Sequence, residues 1–249
     1  MWKILKKIIK KSLYFLLSIK NLFIPFIYIL HRYFLTKKYT ENNKIRKLHL
    51  GAGNFTHEGW LASDLFPKIG KSIIYIDASK RLPFPDNYFD FIYSEHMIEH
   101  ISYDSAQNML KECNRVLKKN GKIRISTPDL DKYLSLFDSE KSEIQKDFID
   151  FMSNNWLQKF KHNDNLPYHI LNLNMHAWGH SYIYCKSTLK DQLVNAKFSD
   201  IKFHKNNESL DPTFLNMELH GSNLEKQFSI NNATSMVDFE TMNAEASKE

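Results

Sequence analysis

The chain has 249 residues, a length that suits one α/β domain of about 200 residues with an appendage. Apolar residues make up 43% of the chain, which is enough for a sizeable core and excludes global disorder. The two cysteines, Cys113 and Cys185, lie far apart in the sequence. We therefore expect neither a disulfide framework nor a cysteine-rich zinc site, and the composition favours a reducing, cytoplasmic compartment.

The formal net charge of +6 is distributed unevenly along the chain. Residues 1–38 contain nine Lys or Arg residues and no acidic residue, and subtracting these nine charges leaves −3 for the remainder. A mildly acidic body is not typical of proteins that bind nucleic acid. We therefore predict no nucleic-acid partner.

Residues 1–38 are predicted to associate with a membrane. Within residues 2–19, five lysines fall on one helical face and Leu and Ile side chains on another, as in helices that lie on anionic bilayers. Residues 12–30 are largely apolar but contain Lys20, so a membrane span and an additional core helix remain as alternatives. Residues 39–44 are predicted to form a polar linker.

Strand and helix patterns alternate after residue 44, which predicts an α/β fold with a doubly wound, mostly parallel sheet. The apolar spacing over Ser105–Lys118 predicts a helix. Five short apolar runs predict strands, namely Ile45–Leu50, Trp60–Ser63, Ser72–Ile76, Asp90–Tyr93 and Lys122–Ser126.

The second half of the chain is less regular. Residues 130–180 are rich in aromatic residues and histidine and are predicted to form a helical cap inserted over the strand ends. The domain is expected to span residues 45–242 and to end in a frayed tail at residues 243–249. The remaining patterns predict a helix at Ser187–Ala196 and strands at Asp200–Lys205, Phe214–Glu218 and Ser235–Glu240.

The first predicted strand leads directly into Gly51-Ala52-Gly53. Glycines at such a position let the backbone turn tightly and approach a ligand without an obstructing Cβ atom. Asp64 ends the next strand, where a carboxylate can accept hydrogen bonds from both hydroxyls of a ribose; a turn or cap role is the alternative. The eleven-residue spacing from Gly53 to Asp64 leaves little room for a crossover helix, so we expect a reduced turn around Gly59-Trp60.

Four stretches in order resemble class I S-adenosylmethionine-dependent methyltransferases of the methyltransferase type 11 group. They are LHLGAG, WLASD, IDASKRLPFPDNYFDFIYSEHMIEHI and ECNRVLKKNGKIRISTPDL, and they cover about residues 45–130. Later segments around Gly179, Asn195 and Glu218 are similar to members associated with cell-envelope polysaccharide biosynthesis. The resemblance implies a Rossmann-like fold, S-adenosyl-L-methionine as cofactor and a methyltransferase activity.

The resemblance also implies roles for individual residues. His49 and Phe55 depart from the family, which usually has an acid at the first position and a third glycine at the second. The resemblance implies that Gly51, Ala52 and Gly53 contact the methionine end of the cofactor, and that Asp64 and Leu65 contact the ribose and the adenine. Asp77 and Ala78 are implied to lie at the adenine amino group. Ser94 and Glu95 are implied to lie near the methyl group.

Histidines are the candidate catalytic groups. Methyl transfer to a hydroxyl often uses a base, and histidine suits this role because its unperturbed pKa is ~6.5. His96 is the first candidate and His180 the second, with a hydrogen-bonded structural role as the alternative for each. We predict no metal ligands, although His96, Glu99 and His100 form an H-x-x-E-H pattern that also occurs in zinc hydrolases.

The sequence therefore predicts an enzyme that methylates an oxygen of a glycan or a lipid-linked saccharide precursor. It is expected to be cytoplasmic and peripheral at the inner face of the membrane, with an anionic membrane surface as a partner of residues 1–38. Two alternatives remain, a non-catalytic scaffold with a cofactor fold and a zinc hydrolase.

Overall fold

A seven-stranded sheet forms the centre of the protein. The computed structural model describes residues 26–68, 70–160 and 165–249. The strands are β1 (Lys47–Leu50), β2 (Leu61–Asp64), β3 (Ile73–Tyr75), β4 (Phe89–Glu95), β5 (Leu117–Pro128), β6 (Phe198–His204) and β7 (Thr241–Lys248).

The strand order is β3-β2-β1-β4-β5-β7-β6, and only β7 runs antiparallel to its neighbours. This arrangement confirms the predicted Rossmann-like α/β fold. The chain builds one side of the sheet from β1 to β3 and then returns to place β4 on the other side of β1. Open α/β sheets bind ligands at such a switch point, beyond the carboxyl ends of the strands. Here that point follows Leu50 and Ser94, which are paired in register.

Helices flank the sheet. In chain order they are α1 (residues 26–42 of the described part), α2 (Tyr103–Val116), α3 (Leu130–Leu134), α4 (Glu143–Asn155), α5 (Leu166–His176), α6 (Lys186–Asn195), α7 (His220–Phe228) and α8 (Ala233–Glu240). Short 3-10 turns occur at Ile98–His100, Ser135–Phe137 and Gln158–Phe160.

Helix α2 confirms the predicted amphipathic helix, shifted by two residues. Its hydroxyl cap is Ser102, whose side chain accepts a hydrogen bond from the Ser105 amide at 3.3 Å. The helix then buries one apolar face against the sheet, formed by Ala106, Met109, Leu110, Cys113 and Val116.

The connection between β1 and β2 contains no helix, as its length predicts. Residues 51–60 form turns, and Gly59 has a φ of +74°, a left-handed conformation that favours glycine. The Ala52 amide donates to the Ser63 carbonyl at 2.8 Å, which holds this reduced connection against β2.

Residues 130–176 contain α3, α4 and α5, which build an apolar cluster separate from the core of the sheet. This cluster also includes Met236 of α8. A bridge between Asp129 and Tyr184 joins the end of β5 to the segment that follows α5. The helices therefore lie over the carboxyl end of the sheet.

The prediction of a linker at residues 39–44 is wrong for residues 39–42, because helix α1 continues through them. Leu35 and Tyr39 pack against the core of the sheet, and the Tyr39 hydroxyl accepts a 2.7 Å hydrogen bond from the Lys47 amide. The amphipathic helix predicted at residues 2–19 lies outside the described residues. None of the helices in the described ranges combines the length and apolar character that a bilayer-crossing segment requires.

Two strand predictions in the second half are wrong. Residues 214–218 form no strand, because Phe214 and Met217 are buried in a cluster with Trp60 and Tyr93 instead of pairing along the sheet. Ser235–Glu240 belongs to α8, where Met236 and Val237 lie on the buried face three and four residues after Ala233.

The prediction of a frayed tail at residues 243–249 is also wrong. Residues 241–248 form β7, which pairs with β5 on one side and β6 on the other. Ala244 and Ala246 are buried within it. The strand contains Asn, Glu, Ser and Lys, which have low β propensity, and pairing on both edges overrides that preference.

A buried ion network on β5 fixes β7 and the segment before α7. Arg124 is fully buried, and its Nε donates to Glu218 Oε1 at 2.6 Å while Nη1 donates to Glu245 Oε1 at 2.5 Å. The same guanidinium donates to the carbonyls of Lys205 and Glu208. One buried cation thus holds β5, β7 and residues 205–218 together.

Replacing Glu218 by glutamine should destabilise the protein by about 3 kcal/mol, because the change removes one of the two charges that compensate the buried guanidinium. The measurement is equilibrium denaturation with urea. The control Glu143→Gln removes an exposed carboxylate paired with Lys146 and should change the free energy of unfolding by less than about 0.5 kcal/mol. Equal effects of the two substitutions would contradict the role of the network.

Candidate functional site

A cavity of about 340 Å³ lies at the switch point of the sheet. It is bordered by the residues that follow β1, the residues that end β4 and β5, the helices over the sheet and the start of α7. Its lining includes His49, Gly51, Ala52, Gly53, Phe55, Glu95, His96, Glu99, His100, Trp156, Trp178, His180, His220 and Glu240.

Gly51, Ala52 and Gly53, here called the glycine loop, form one side of the cavity. Gly51 has a φ of +69°, and a Cβ atom there would lie 2.6 Å from the Cβ of Met97. Gly53 has a φ of +58°, and no described atom lies within 4 Å of the position that its Cβ would occupy. The backbone is therefore open at Gly53, which fits the close approach of a ligand such as the methionine end of S-adenosyl-L-methionine.

Asp64 adjoins the glycine loop without lining the cavity itself. Its Oδ2 accepts a hydrogen bond from the Gly53 amide at 2.9 Å, and its Oδ1 accepts one from the Phe66 amide at 2.8 Å. Leu65 is 42% exposed beside it. The carboxylate thus lies at the rim of the loop, and its predicted contact with a ribose stays a prediction.

Other predicted cofactor contacts lie outside the cavity. Asp77 Oδ1 accepts hydrogen bonds from the Ser79 amide at 3.0 Å and the Ser79 hydroxyl at 2.6 Å, which is the geometry of a turn-forming aspartate. Ala78 follows in the same turn. Ser94 is fully buried in β4. The structure therefore does not bring Asp77, Ala78 or Ser94 into the cavity that the glycine loop lines.

Glu95 lines the cavity and also caps α7. One oxygen of its carboxylate accepts hydrogen bonds from the amides of Leu219 and His220, each at 2.8 Å. Burial raises the pKa of Glu95, and the charge of His96 and these amides act in the opposite direction. The carboxylate therefore fixes the first turn of α7 against the end of β4.

His96 occupies a left-handed turn with a φ of +45° directly after β4. Its Nδ1 lies 3.3 Å from Glu99 Oε1, and its Nε2 lies 3.1 Å from the Thr241 hydroxyl. Burial acts to lower the pKa of His96, but Glu99, Glu240 and Glu95 together raise it to about 9. The imidazole is then protonated at neutral pH, which does not suit the base role considered for it.

The zinc site that His96 and His100 would form in the alternative interpretation is not present in this arrangement. Residues 98–100 form a 3-10 turn rather than an α-helix, so the two histidines do not lie one α-helical turn apart on one face. The ring of His96 instead stacks on His220, with 4.2 Å between centroids and 20° between planes. His96 is accordingly absent from the group of potential metal ligands found among the described residues.

The structure places His180 in the same cavity. Its Nδ1 lies 2.6 Å from the carbonyl oxygen of Asn174, at the end of α5. Burial lowers the pKa of His180. Both histidines that the sequence indicated therefore line one cavity. A role as base stays a prediction for His180, whereas the protonated His96 does not suit it.

Two titratable residues of the cavity were missed by sequence reasoning. Burial lowers the pKa of His220 to about 3, helped by the charge of His96, so this ring is neutral. Burial raises the pKa of Glu240 to about 7. Glu240 lies at the end of α8, a segment that the sequence misassigned as a strand, and nothing in the spacing of either residue indicated a place beside β4.

The two positions that depart from the family also line the cavity. His49 is buried in β1, and burial together with the neighbouring His57 lowers its pKa to about 3. A neutral ring therefore stands where the family usually has an acid. Phe55 lies beside the glycine loop, where the third glycine is usual.

Aromatic side chains border the cavity on the side of the α4 and α5 helices. The rings of Trp156 and Trp178 meet edge to face with 5.8 Å between centroids. Trp178 is 47% exposed, has a φ of +56° and lies 5.7 Å from the ring of His180. These rings offer apolar faces next to the titratable residues.

Comparison with known proteins finds similarity over part of the chain. Residues 58–125 match a family described as "Methyltransferase domain". Over 77 residues the chain is 34% identical to an uncharacterized protein from Methanocaldococcus jannaschii, which corresponds to 31% of this chain. The chain covers only 37% of the length of that relative. The match to the family lies within residues 45–130, the part of the chain whose motifs resemble methyltransferases.

Solved structures with a similar arrangement are distant in sequence. A SAM-dependent methyltransferase from Archaeoglobus fulgidus has 16% identity and a TM-score of 0.47, covering 89% of this chain and 94% of that chain. A S-adenosylmethionine-dependent methyltransferase from Mesorhizobium loti has 13% identity and a TM-score of 0.48, covering 83% and 92%. The fold is established here by the strand order of the chain itself.

Proposed function

We propose that the protein transfers a methyl group from S-adenosyl-L-methionine to an oxygen of a glycan or a lipid-linked saccharide precursor. The observation that supports this most strongly is the cavity at the switch point. It joins the glycine loop to a row of titratable residues and to the rings of Trp156 and Trp178. A donor site and an acceptor site can therefore share one space, as in-line transfer requires.

The glycine loop is proposed to hold the methionine end of the cofactor, with Asp64 at the ribose. Bound there, the cofactor supplies an electrophilic methyl group. The open backbone at Gly53 and its hydrogen bond to Asp64 support this placement, because loop and carboxylate are already joined at 2.9 Å. Glu95 and His96 border the same space at the end of β4.

Glu240 is proposed to take the proton that the acceptor hydroxyl loses when its oxygen is methylated. A base is most effective when its pKa lies near the working pH, and burial raises the pKa of Glu240 to about 7. His96, positively charged beside Glu99, would hold the carboxylate of Glu99 in place rather than accept the proton.

Trp156 and Trp178 support a saccharide acceptor. Sugar rings present faces of C–H groups that pack on aromatic side chains, and both rings line the cavity. The carboxylates and histidines beside them provide hydrogen-bond partners for sugar hydroxyls. The same cavity therefore offers apolar faces and polar groups together.

Replacing Asp64 by alanine should weaken the binding of S-adenosyl-L-homocysteine by about tenfold or more, because the ribose hydroxyls lose a charged acceptor. Titration calorimetry on the full chain measures this. The control Asp147→Ala removes an exposed carboxylate on α4 and should leave affinity unchanged. Unchanged affinity in the Asp64 variant would show that this residue is not part of the cofactor site.

The second test follows labelled methyl from S-adenosyl-L-methionine into a lipid and glycan extract of cell membranes. The wild-type chain should label a product, and Glu240→Gln should slow labelling by about 100-fold because the proton acceptor is lost. Cofactor affinity should be the same in both proteins. No labelled product with the wild type would reject the proposed acceptor class and favour the non-catalytic scaffold. Full activity of the variant would reject Glu240 as the base.

We also propose that α1 docks on an anionic membrane surface. The helix faces the domain through Tyr28, which stacks on Tyr75 at 5.2 Å, and through Leu35 and Tyr39. Its opposite face presents apolar side chains at helical spacing that are 40% to 63% exposed, namely Phe26, Ile29, Leu30, Tyr33 and Phe34. An exposed apolar stripe of this kind is typical of helices that lie in a bilayer interface.

Phe34→Glu should reduce binding of the full chain to vesicles of phosphatidylcholine and phosphatidylglycerol by about tenfold or more, because it removes a 63% exposed ring and adds a negative charge. Flotation through a density gradient measures the bound fraction. Val194→Glu, which changes a 53% exposed apolar residue on α6, is the matched control. Equal loss in both variants, or no loss in Phe34→Glu, would contradict docking through α1.

A further inference from the structure

A second group of chemically related side chains lies in the cavity, apart from the glycine loop. Glu99, His100 and His180 each offer one ligand atom, and these three atoms lie within 4.8 Å of one another. All three residues line the cavity. Two imidazoles and a carboxylate at this separation are a common ligand set for divalent transition metals.

Hydrogen bonds between main-chain groups hold the two segments of this cluster together. The carbonyl oxygen of Glu99 accepts bonds from the amides of Ser181 at 2.7 Å and Tyr182 at 3.2 Å. The Ser181 hydroxyl donates to the carbonyl of His100 at 3.2 Å. The segment that contains His180 is therefore fixed against the 3-10 turn that contains Glu99 and His100.

Glu99 is fully buried, and its carboxylate is incompletely satisfied. Its Oε2 accepts a hydrogen bond from the Thr127 hydroxyl at 3.0 Å. Its Oε1 forms an ion pair with Nδ1 of the protonated His96 at 3.3 Å and has no aligned hydrogen-bond donor among the described residues. His96 balances the charge of the carboxylate, but a carboxylate oxygen has two lone pairs, so Oε1 can also accept a metal ion.

His180 is oriented as metal-binding histidines are. Its Nδ1 lies 2.6 Å from the carbonyl of Asn174, which accepts a hydrogen bond and therefore places the proton on Nδ1. The lone pair is then on Nε2, the ring nitrogen that would coordinate the metal. A carbonyl that fixes the second ring nitrogen is the usual partner of a ligating histidine.

We propose that Glu99, His100 and His180 bind a divalent transition metal of the zinc type. Three protein ligands leave at least one coordination position open, and the position of the cluster directs it to the cavity. If the protein transfers a methyl group as proposed, the open coordination position is suited to an oxygen of the acceptor. The metal site itself does not depend on that activity. This set of ligands also differs from the one that the H-x-x-E-H pattern would supply, since His180 replaces His96.

The test uses the full chain, treated with a chelator and then dialysed. We expect one equivalent of Zn²⁺ to bind in titration calorimetry, and one equivalent of Co²⁺ to give the visible absorption of a low-coordinate site. His180→Ala should weaken Zn²⁺ binding by on the order of 100-fold or more, because changes to outer-shell partners alone cost 10- to 100-fold. His176→Ala, an exposed histidine at the end of α5, is the matched control and should bind as the wild type does.

His100→Ala provides a second ligand variant, because His100 is exposed and its loss leaves the buried packing intact. Stoichiometric binding that is lost in both ligand variants and kept in the control supports the site. No stoichiometric binding by the wild type, unchanged binding in either ligand variant, or equal loss in His176→Ala would overturn it. Metal binding is read without methyl transfer, so failure of the metal site and failure of the proposed activity are distinguishable.

Discussion

The buried guanidinium of Arg124 is the constraint on which the second half of the structure depends. A cation with no exposed surface must be paired and hydrogen-bonded, and two carboxylates and two carbonyls surround it. Glu245 comes from β7 and Glu218 from the segment before α7. Because Leu219 and His220 follow Glu218 directly, the network also brings their amides to Glu95 at the end of β4. A charge on β5 thus positions one side of the cavity.

Within the cavity, charges alternate over short distances. The positive His96 lies between Glu99 and the ring of the neutral His220, and its charge is among the causes that keep His220 neutral. Burial raises the pKa of Glu240 to about 7, and the charges of His96 and Glu99 also act on this carboxylate. Groups with different protonation states are therefore packed beside an open glycine loop. This is the electrostatic setting in which proton transfer at a bound acceptor becomes feasible.

The amino-terminal half of the domain was predictable because local patterns and final structure agree there. Short apolar runs became β1 to β4, and Gly51-Ala52-Gly53 forms the open loop expected of it. The role of Asp77 was harder to predict, since a turn-forming aspartate and a ligand-binding one have the same sequence context. In the structure the carboxylate of Asp77 accepts hydrogen bonds from the amide and the hydroxyl of Ser79.

The carboxyl-terminal half was predictable only in part, because long-range contacts decide it. Residues 241–248 have weak strand propensity and become a central strand through pairing on both edges. Glu218 gives no sequence signal of its attraction to Arg124, 94 residues away. For the same reason His220 and Glu240 could not be assigned to the cavity in advance, whereas α6 and β6, which follow local periodicity, could.

The proposed function requires that the cavity beside Gly51 and Gly53 receives the cofactor. A crystal structure of the full chain with S-adenosyl-L-homocysteine tests it most directly. We expect density for the amino-acid end of this compound against the glycine loop, with its ribose hydroxyls within hydrogen-bond distance of Asp64. Density at another surface would contradict this placement of the cofactor. So would a ribose that makes no contact with Asp64 although the Asp64 carboxylate keeps its hydrogen bond to the Gly53 amide.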